Sequence, residues 1–414
     1  MALPLASERP RLPLTVAFIA TSLLVALTAG SGLGGWLLLH ITLGVPVPDG
    51  GWTALVQLHG HAQLVGFAVL LVMGIGYRIL PRFRGADEPA PGLMAASFGL
   101  VTVGLVLRFA QVLPELSARE PLLLLSGTLT VAGTLLYAHA AVEVLGAGES
   151  PRRADEAVLG AAIVWTPIGA LWSLISLGPL AAGFPAADAA ASSAAIWALL
   201  LGSIGGHILG VSLRVAPAFI AAPVAPTRLV LAGAAAWNAG VVGMTLELGL
   251  APLFLLAGAL ALVYAVGPFR RTAAVRPLPP PARITRAGFR AAYAWLIGAL
   301  ALLTLASAAP FGGSLNAARH AIALGFLMSM VFAVGARLIP ALTGGLALPA
   351  PAVVLALALT NAAAILRVAF ELIGWTGTAS SIGLAASGAL GYAALVTFVL
   401  AALRTVRSAL GAAV

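Results

Sequence analysis

Two histidines occupy the same place in two apolar segments of the sequence. His61 begins the stretch HAQLVGFAVLLVMGIGYRILP, and His320 begins the stretch HAIALGFLMSMVFAVGARLIP. Each segment is long enough to span a bilayer as a helix. Two imidazoles at one depth are the ligands that a six-coordinate haem iron needs, because the porphyrin leaves two axial positions. The pattern favours a bis-histidine haem between the segments, with hydrogen bonding across helices as the alternative.

Two arginines repeat the same correspondence. Arg108 lies thirty residues beyond Arg78, and Arg367 lies thirty residues beyond Arg337. Guanidinium groups near the ends of these helices can pair with haem propionates at the boundary between lipid and water. Two other interpretations stay open: the arginines snorkel to the surface, or Arg367 pairs with Glu371 one turn further on.

His59 competes with His61 for the role of ligand. Two residues at roughly 100° each place the side chains about 200° apart, so the two imidazoles cannot share a helix face. His59 and Gln63 do share one, and they would contact a propionate, bind a second metal or form a polar seam. Arg319, which precedes His320, is a further candidate for contact with the cofactor.

A third segment, WALLLGSIGGHILGVSLRVAP, carries the same pattern without the histidine. Trp197 stands in the histidine position and Met244 in the arginine position. All three segments place Gly, Arg and Pro five, seventeen and twenty residues after the first residue. These residues are Gly66, Gly202 and Gly325; Arg78, Arg214 and Arg337; and Pro81, Pro217 and Pro340. Two units that hold one cofactor while the third does not would give this pattern.

Apolar segments fill nearly the whole sequence. The predicted helices cover residues 13–40, 54–80, 91–113, 121–146, 157–182, 190–215, 228–248, 250–268, 291–311, 317–340, 350–374 and 380–403. The motif segments are the second, sixth and tenth of these. We therefore predict one all-α transmembrane domain of about twelve helices, built as three four-helix units at about 13–146, 157–268 and 291–403.

Composition supports this fold class. Of 414 residues, 61% are hydrophobic and 8% are charged, which excludes an ordinary soluble domain. The absence of cysteine excludes disulfides and thiolate ligands. Basic residues gather at one end of the predicted bundle: Arg9, Arg11, Arg82, Arg84, Arg152, Arg153, Arg228, the Arg270–Arg290 connection, Arg404 and Arg407. This end, with both termini, is predicted to be cytoplasmic, and the first segment is read as a retained helix.

The three motif segments resemble those of the haem–copper oxidase superfamily, catalytic subunit I, whose fold is also twelve helices in pseudo-threefold arrangement. His320, followed by Pro340-Ala341-Leu342-Thr343-Gly344, resembles the segment that carries a low-spin haem ligand. The His61 segment resembles that of the other low-spin ligand. His207, ahead of Pro217-Ala218-Phe219, resembles the first copper ligand, so the resemblance implies a copper ligand there.

Departures from the superfamily pattern limit the function. Ala318 stands where the family carries the proximal histidine of its high-spin haem, and Trp237-Asn238 stands where it carries copper-binding histidines. Four-electron reduction of dioxygen is therefore not expected. In length and general sequence character the chain resembles the NnrS-like branch, which is associated with nitric oxide response and contains haem. Gln63 and Thr343 depart from the typical motifs of that branch.

Together these features predict a b-type cytochrome of a bacterial or archaeal inner membrane. One low-spin haem b would be held by His61 and His320, working in electron transfer or nitric-oxide-linked metabolism with a quinol or cytochrome donor. Oxidoreductase activity on nitric oxide or quinol stays open, as does the oligomeric state. The lipid bilayer is a partner and nucleic acid is not. The alternatives are a secondary transporter and a haem-sensing or metal-sensing membrane protein.

Overall fold

The computed structural model describes residues 14–47, 51–113, 115–184, 186–271, 277–309, 311, 313–374 and 377–411. In this part of the chain the regular structure is entirely helical, as expected where lipid cannot satisfy backbone groups. The helices are α1 (Leu14–Leu43), α2 (Gly51–Arg84), α3 (Pro91–Val112), α4 (Arg119–Ala147), α5 (Asp155–Ala181), α6 (Ala189–Ile220), α7 (Thr227–Thr245), α8 (Ala251–Val266), α9 (Pro280–Ala308), α10 (Ser314–Thr343), α11 (Ala350–Ile373) and α12 (Thr378–Gly411).

The predicted all-α membrane fold is confirmed. Ten of these described helices are long and apolar enough to cross a membrane. The other two are α7 and α8, of which α8 has only 16 residues. They are separated at residues 246–250, close to the boundary predicted between residues 248 and 250. Arg9, Arg11 and the predicted start at residue 13 lie outside the described residues.

The three motif helices share a local distortion. A π-helical segment interrupts α2, α6 and α10, and in each it begins directly after the first residue of the motif. These segments are Ala62–Val69, Ala198–Gly205 and Ala321–Leu327. π-Segments inside α-helices are often found at functional sites. The distortion therefore changes the directions in which the side chains after His61, Trp197 and His320 point.

The three motif helices also continue past their prolines, where the sequence prediction ended them. Pro81, Pro217 and Pro340 lie inside α2, α6 and α10. A proline removes only one N–H donor, so a last turn can form beyond it. Each helix then ends at a residue with left-handed backbone, four residues after the proline; these residues are Gly85, Ala221 and Gly344.

Neighbouring units meet through a recurring cation–π contact. The guanidinium of Arg214 lies 5.3 Å from the centre of the Phe83 ring, and that of Arg337 lies 5.5 Å from the Phe219 ring. Each phenylalanine follows its motif proline by two residues. Such contacts each contribute about 0.5–1 kcal/mol where solvent is near. The contacts link the second unit to the first and the third to the second; the complete pseudo-threefold arrangement stays a prediction.

The basic connection before α9 is shorter than predicted. The prediction was a loop from Arg270 to Arg290, but α9 begins at Pro280, so its first three turns carry Arg283, Arg286 and Arg290. Proline is well tolerated in the first turn, where its missing N–H leaves no unmet bond. Arg286 and Arg290 donate to the carbonyl of Pro268 at 3.3 and 3.0 Å, which fixes the start of α9 on the end of α8.

A second paired contact recurs in the second and third units. The Trp165 indole donates to Asn238 Oδ1 at 2.8 Å, and the Trp295 indole donates to Asn361 Oδ1 at the same distance. Asn238 and Asn361 also match in the sequence, since each lies twenty-four residues beyond its motif arginine. The structure gives them the same partner on the helix that opens each unit.

We predict that the two tryptophan–asparagine pairs stabilise the fold equally. In double-mutant cycles with Trp295→Phe and Asn361→Ala, the coupling energy should be about 0.6–1.5 kcal/mol, the range of hydrogen bonds between membrane helices. The cycle with Trp165→Phe and Asn238→Ala is the matched control and should give the same value. Unfolding in detergent measures both. Clearly different couplings in the two cycles would contradict the equivalence, and couplings near zero in both would show that neither pair stabilises the fold.

Candidate functional site

Buried histidines and arginines gather at the end of the bundle opposite the basic connections. The connection end holds Arg84, which donates to the carbonyls of Ser150 and Gly148 at 2.5 and 2.6 Å and pairs with Glu156 at 3.3 Å. The other end holds the predicted ligands on α2 and α10 and the arginines on α3 and α11. These groups fall into two clusters with different partners.

His59 belongs to the first cluster and faces α1. Its Nδ1 donates to the carbonyl of Gly30 at 2.9 Å. A Cβ on Gly34 would lie 2.5 Å from the imidazole Cε1, so glycine is required there for α1 to pack directly on the ring. His320 and Arg367 are the charged groups close enough to act on His59 electrostatically. His59 therefore lies near two residues of the third unit, one on α10 and one on α11.

His320 is anchored in a dense polar contact between α10 and α11. Its Nδ1 donates to the carbonyl of Asn316 at 3.0 Å and lies 3.2 Å from Glu371 Oε1. The Asn316 amide donates to the same carboxylate at 2.7 Å, and Arg367 Nε lies 2.6 Å from it. Glu371 is fully buried, which makes it the internal counter-ion of Arg367. The sequence prediction that Arg367 pairs with Glu371 is confirmed.

The start of α10 is locked to the end of α11 at Gly313. This residue has φ +71°, and a Cβ on it would lie 2.0 Å from the carbonyl oxygen of Glu371. Both the backbone conformation and the close approach require glycine. This close backbone contact fixes the positions of Asn316 and His320 relative to Glu371.

His61 lies in the second cluster, on the opposite face of α2. Its Nδ1 is 3.2 Å from the hydroxyl of Ser173 on α5, and its Nε2 is buried without a hydrogen-bond partner. Arg108 is the charged group that acts on it. The prediction that His59 and His61 point to different neighbours is confirmed. A haem between His61 and His320 stays a prediction, because the residue placed with His320 is His59.

Arg108 and Arg119 share one neutral partner in this second cluster. Arg108 Nε donates to Gln111 Oε1 at 2.9 Å, and Arg119 donates to the carbonyl of Gln111 at 3.4 Å. Gln111 itself donates to the carbonyl of Ala54 and to Gln57, which ties α3 to the start of α2. Arg108 Nη1 and Arg119 Nε are buried without hydrogen-bond partners. Both guanidiniums are therefore left without a counter-ion among the described side chains.

Arg319 turns away from His320 toward α6. It donates to the hydroxyl of Ser193 at 3.0 Å, and its guanidinium lies 5.1 Å from the centre of the Trp197 ring. Adjacent residues on a helix point about 100° apart, so the placement follows from the helix geometry. The contacts of Arg319 thus belong to the second unit and not to the His59 cluster.

His207 lies deeper and has both ring nitrogens engaged. Nδ1 donates to the carbonyl of Ser203 at 2.8 Å, and the Tyr137 hydroxyl lies 3.0 Å from Nε2. The imidazole borders a cavity of about 100 Å³ with almost wholly apolar walls from α1, α2, α6, α10 and α12. The described residues contain no group of three His, Asp or Glu side chains that could hold a metal. Copper at His207 stays a prediction, and binding there would require the Tyr137 contact to break.

Among the described residues of α2 and α10, His59, His61 and His320 each have Nδ1 held, and no protein partner is found for their Nε2 atoms. A metal-binding histidine characteristically donates its other ring N–H to a carbonyl or carboxylate, which fixes the tautomer and the ring orientation. His59 and His320 meet this requirement through backbone carbonyls. His207 also has Nδ1 held by a backbone carbonyl, but its Nε2 lies 3.0 Å from the Tyr137 hydroxyl and is therefore not open to a metal.

Sequence reasoning missed Gly34, Ser173 and Arg119. Gly34 and Ser173 carry no signal until the helix packing is known. Arg119 did carry one, because it lies at the end predicted to face away from the cytoplasm, where basic residues are uncommon. A buried arginine at that end demands a specific partner.

The fold and these clusters define a multi-pass α-helical membrane protein with buried histidines and arginines at one end of its bundle. The sequence matches the family model described as NnrS protein over residues 16–409, nearly the whole chain. The chain belongs to the NnrS family, which confirms the branch suggested by the sequence. A search of the curated proteins finds no match.

The buried Glu371–Arg367 pair generates a stability prediction. Glu371→Gln should lower the free energy of unfolding by about 3 kcal/mol, because it leaves a buried guanidinium without its counter-ion. Adding Arg367→Met should recover much of this loss by removing the charge. Chemical unfolding in detergent measures both.

The control for that prediction is Glu88→Gln, which breaks the exposed Arg78–Glu88 pair. Surface pairs contribute at most about 1 kcal/mol, so this variant should unfold almost like the parent protein. A Glu371→Gln protein that is no less stable than Glu88→Gln would show that the buried carboxylate is not the counter-ion.

Proposed function

We propose that this protein is a haem-binding b-type cytochrome of the inner membrane, with one haem held by the Nε2 atoms of His59 and His320. The observation that carries the proposal is the paired arrangement of these imidazoles. Each has Nδ1 held by a backbone carbonyl and, among the described residues, no partner at Nε2, and His320 is near enough to have an electrostatic effect on His59. Membership of the NnrS family, whose sequences are associated with haem and nitric oxide response, supports the same assignment.

The residues around the two imidazoles fit an axial ligand pair. Two glycines of α1 hold His59 in place. The carbonyl of Gly30 accepts from its Nδ1, and the absence of a side chain at Gly34 lets α1 pack directly on the ring. Glu371 lies 3.2 Å from the Nδ1 of His320. A carboxylate in that place raises the basicity of the imidazole and so makes it a stronger metal ligand. Arg367 is paired with Glu371, so the two together add no net charge beside the imidazoles. His59 replaces His61 in this proposal because His61 has its partners on α3 and α5.

A haem held in this way supplies one-electron redox chemistry, with its potential set by axial ligands, hydrogen bonding and burial. The chain's own residues orient the two imidazoles. Occupied axial positions favour electron transfer over direct reaction with a gas. Nitric-oxide-linked metabolism would then use this chain as an electron carrier, with a quinol or a cytochrome as the donor.

The proposed orientation places the site at the periplasmic side. The motif arginines and Arg84 mark the opposite end, which the positive-inside rule assigns to the cytoplasm. An outward site suits a donor that arrives from the periplasm or the quinone pool. A transporter would need a polar site near mid-depth, whereas the cavity beside His207 has apolar walls, which favours the cytochrome.

Single histidine variants test the ligand assignment. Purified protein should show a Soret band and sharp α and β bands on reduction. His59→Ala and His320→Ala should each lose the low-spin spectrum and most of the bound haem, because each removes an axial ligand. His61→Ala is the matched control, two residues along the same helix, and should keep the full low-spin spectrum.

Two results would contradict this assignment. A low-spin spectrum that is lost in His61→Ala and kept in His59→Ala would make His61 the ligand predicted from the sequence repeat. A colourless parent protein with no iron on metal analysis would remove the cytochrome proposal and favour transport.

A further inference from the structure

The second cluster contains three buried nitrogen atoms without hydrogen-bond partners. They are Nη1 of Arg108, Nε of Arg119 and Nε2 of His61, and their residues are only 3%, 8% and 8% exposed. When the Ser173 hydroxyl donates to His61 Nδ1, the ring proton lies on Nε2, so all three atoms are N–H donors. Three buried donors without an acceptor are costly in a membrane bundle.

Among the described residues, Arg108 and Arg119 form no ion pair with a carboxylate, and this includes Glu120 in the first turn of α4. Arg84 and Arg367, also buried, face Glu156 and Glu371. Arg108 occupies the same repeat position as Arg367, but Val112 stands where Glu371 would be, so the first unit lacks the carboxylate. A buried cation without a partner is strongly unfavourable. An anion from outside the protein would supply the partner that the described side chains lack.

The surroundings favour an anion as well. Arg119 is the first residue of α4, a 29-residue helix whose N-cap, Ala118, has no side chain that could accept from the free N–H groups. The positive end of the helix dipole therefore adds to the two guanidiniums. Gln111, held by Ala54 and Gln57, keeps both arginines in place.

We propose that His61, Arg108 and Arg119 form an oxyanion-binding site, separate from the His59–His320 pair. Paired guanidiniums with a nearby imidazole bind carboxylates or nitrogen oxyanions through charge-assisted hydrogen bonds. The anion has two possible sources: a small free anion such as nitrite, or the carboxylates of a second haem. The site does not depend on the first haem being present.

Thermal unfolding of the purified protein in detergent tests the first source. Sodium nitrite or sodium acetate should raise the unfolding midpoint with saturation, and sodium chloride at equal ionic strength should raise it less. Arg108→Gln and Arg119→Gln should weaken the apparent affinity at least tenfold. Arg319→Gln is the control, because that arginine lies on α10 against Trp197, and it should leave the response unchanged.

Gln111→Glu tests the charge directly, because it places a carboxylate at the atom that already accepts from Arg108. It also removes the donation to Ala54 and Gln57, so a cooperative unfolding transition must first show that the variant folds. The folded variant should then have no response to nitrite or acetate. Haem content tests the second source: two haems per chain that fall to one in Arg108→Gln would identify haem carboxylates as the anion.

Two results would overturn the separate site. If Arg108→Gln and Arg119→Gln change neither the response to anions nor the number of haems, the two arginines bind no oxyanion. If Arg108→Gln removes all haem, Arg108 belongs to the His59–His320 site. A low-spin spectrum that is kept in His61→Ala would leave the His59–His320 assignment standing even if the separate oxyanion site is excluded.

Discussion

The structure depends on one constraint: a polar side chain buried in a lipid-embedded bundle needs a protein partner. His59 and His320 meet it through Nδ1, which donates to a backbone carbonyl on α1 in one case and on α10 in the other. The carbonyls fix the orientation of both rings and leave the same nitrogen, Nε2, open in each. The close packing of α1 at Gly34 and the lock of Gly313 on Glu371 hold these contacts in register.

Charge balance separates the two clusters at this end of the bundle. Glu371 neutralises Arg367 and reaches His320, so the third unit satisfies its own buried charge. The first unit keeps the arginine at the matching position without the carboxylate. The same repeat thus provides an internally balanced pair beside the proposed haem ligands and a net positive cluster on the other face of α2. Divergence between repeats gives the two faces different chemistry.

Much of the fold could be predicted from the sequence because membrane helices leave a simple signal. The apolar segments, the repeat motif and the pairing of Arg367 with Glu371 all follow from spacing along a helix. The helix ends beyond Pro81, Pro217 and Pro340 did not follow, because one additional turn depends on capping by the next residues. The π-segments after the first motif residues were also invisible, since no residue type marks them.

The choice between His59 and His61 as a haem ligand stays a proposal, and it shows what spacing leaves open. Spacing placed His59 and His61 on opposite faces of α2, and their different contacts agree with this. Which of the two faces the third unit depends on the rotation of α2 against its neighbours, and the close packing of α1 at Gly34 bears on that rotation. The repeat pattern favoured His61, because it matched His320 in position along the chain. Position along the chain gives depth in the membrane but not the direction of the side chain.

A cryo-electron microscopy map of the purified, coloured protein in nanodiscs tests the central claim most directly. The account predicts porphyrin density joined on its two faces to the imidazoles of His59 and His320, with α1 packed against the His59 ring. Porphyrin density joined to His61, or a continuous lipid density between α2 and α10, would contradict it.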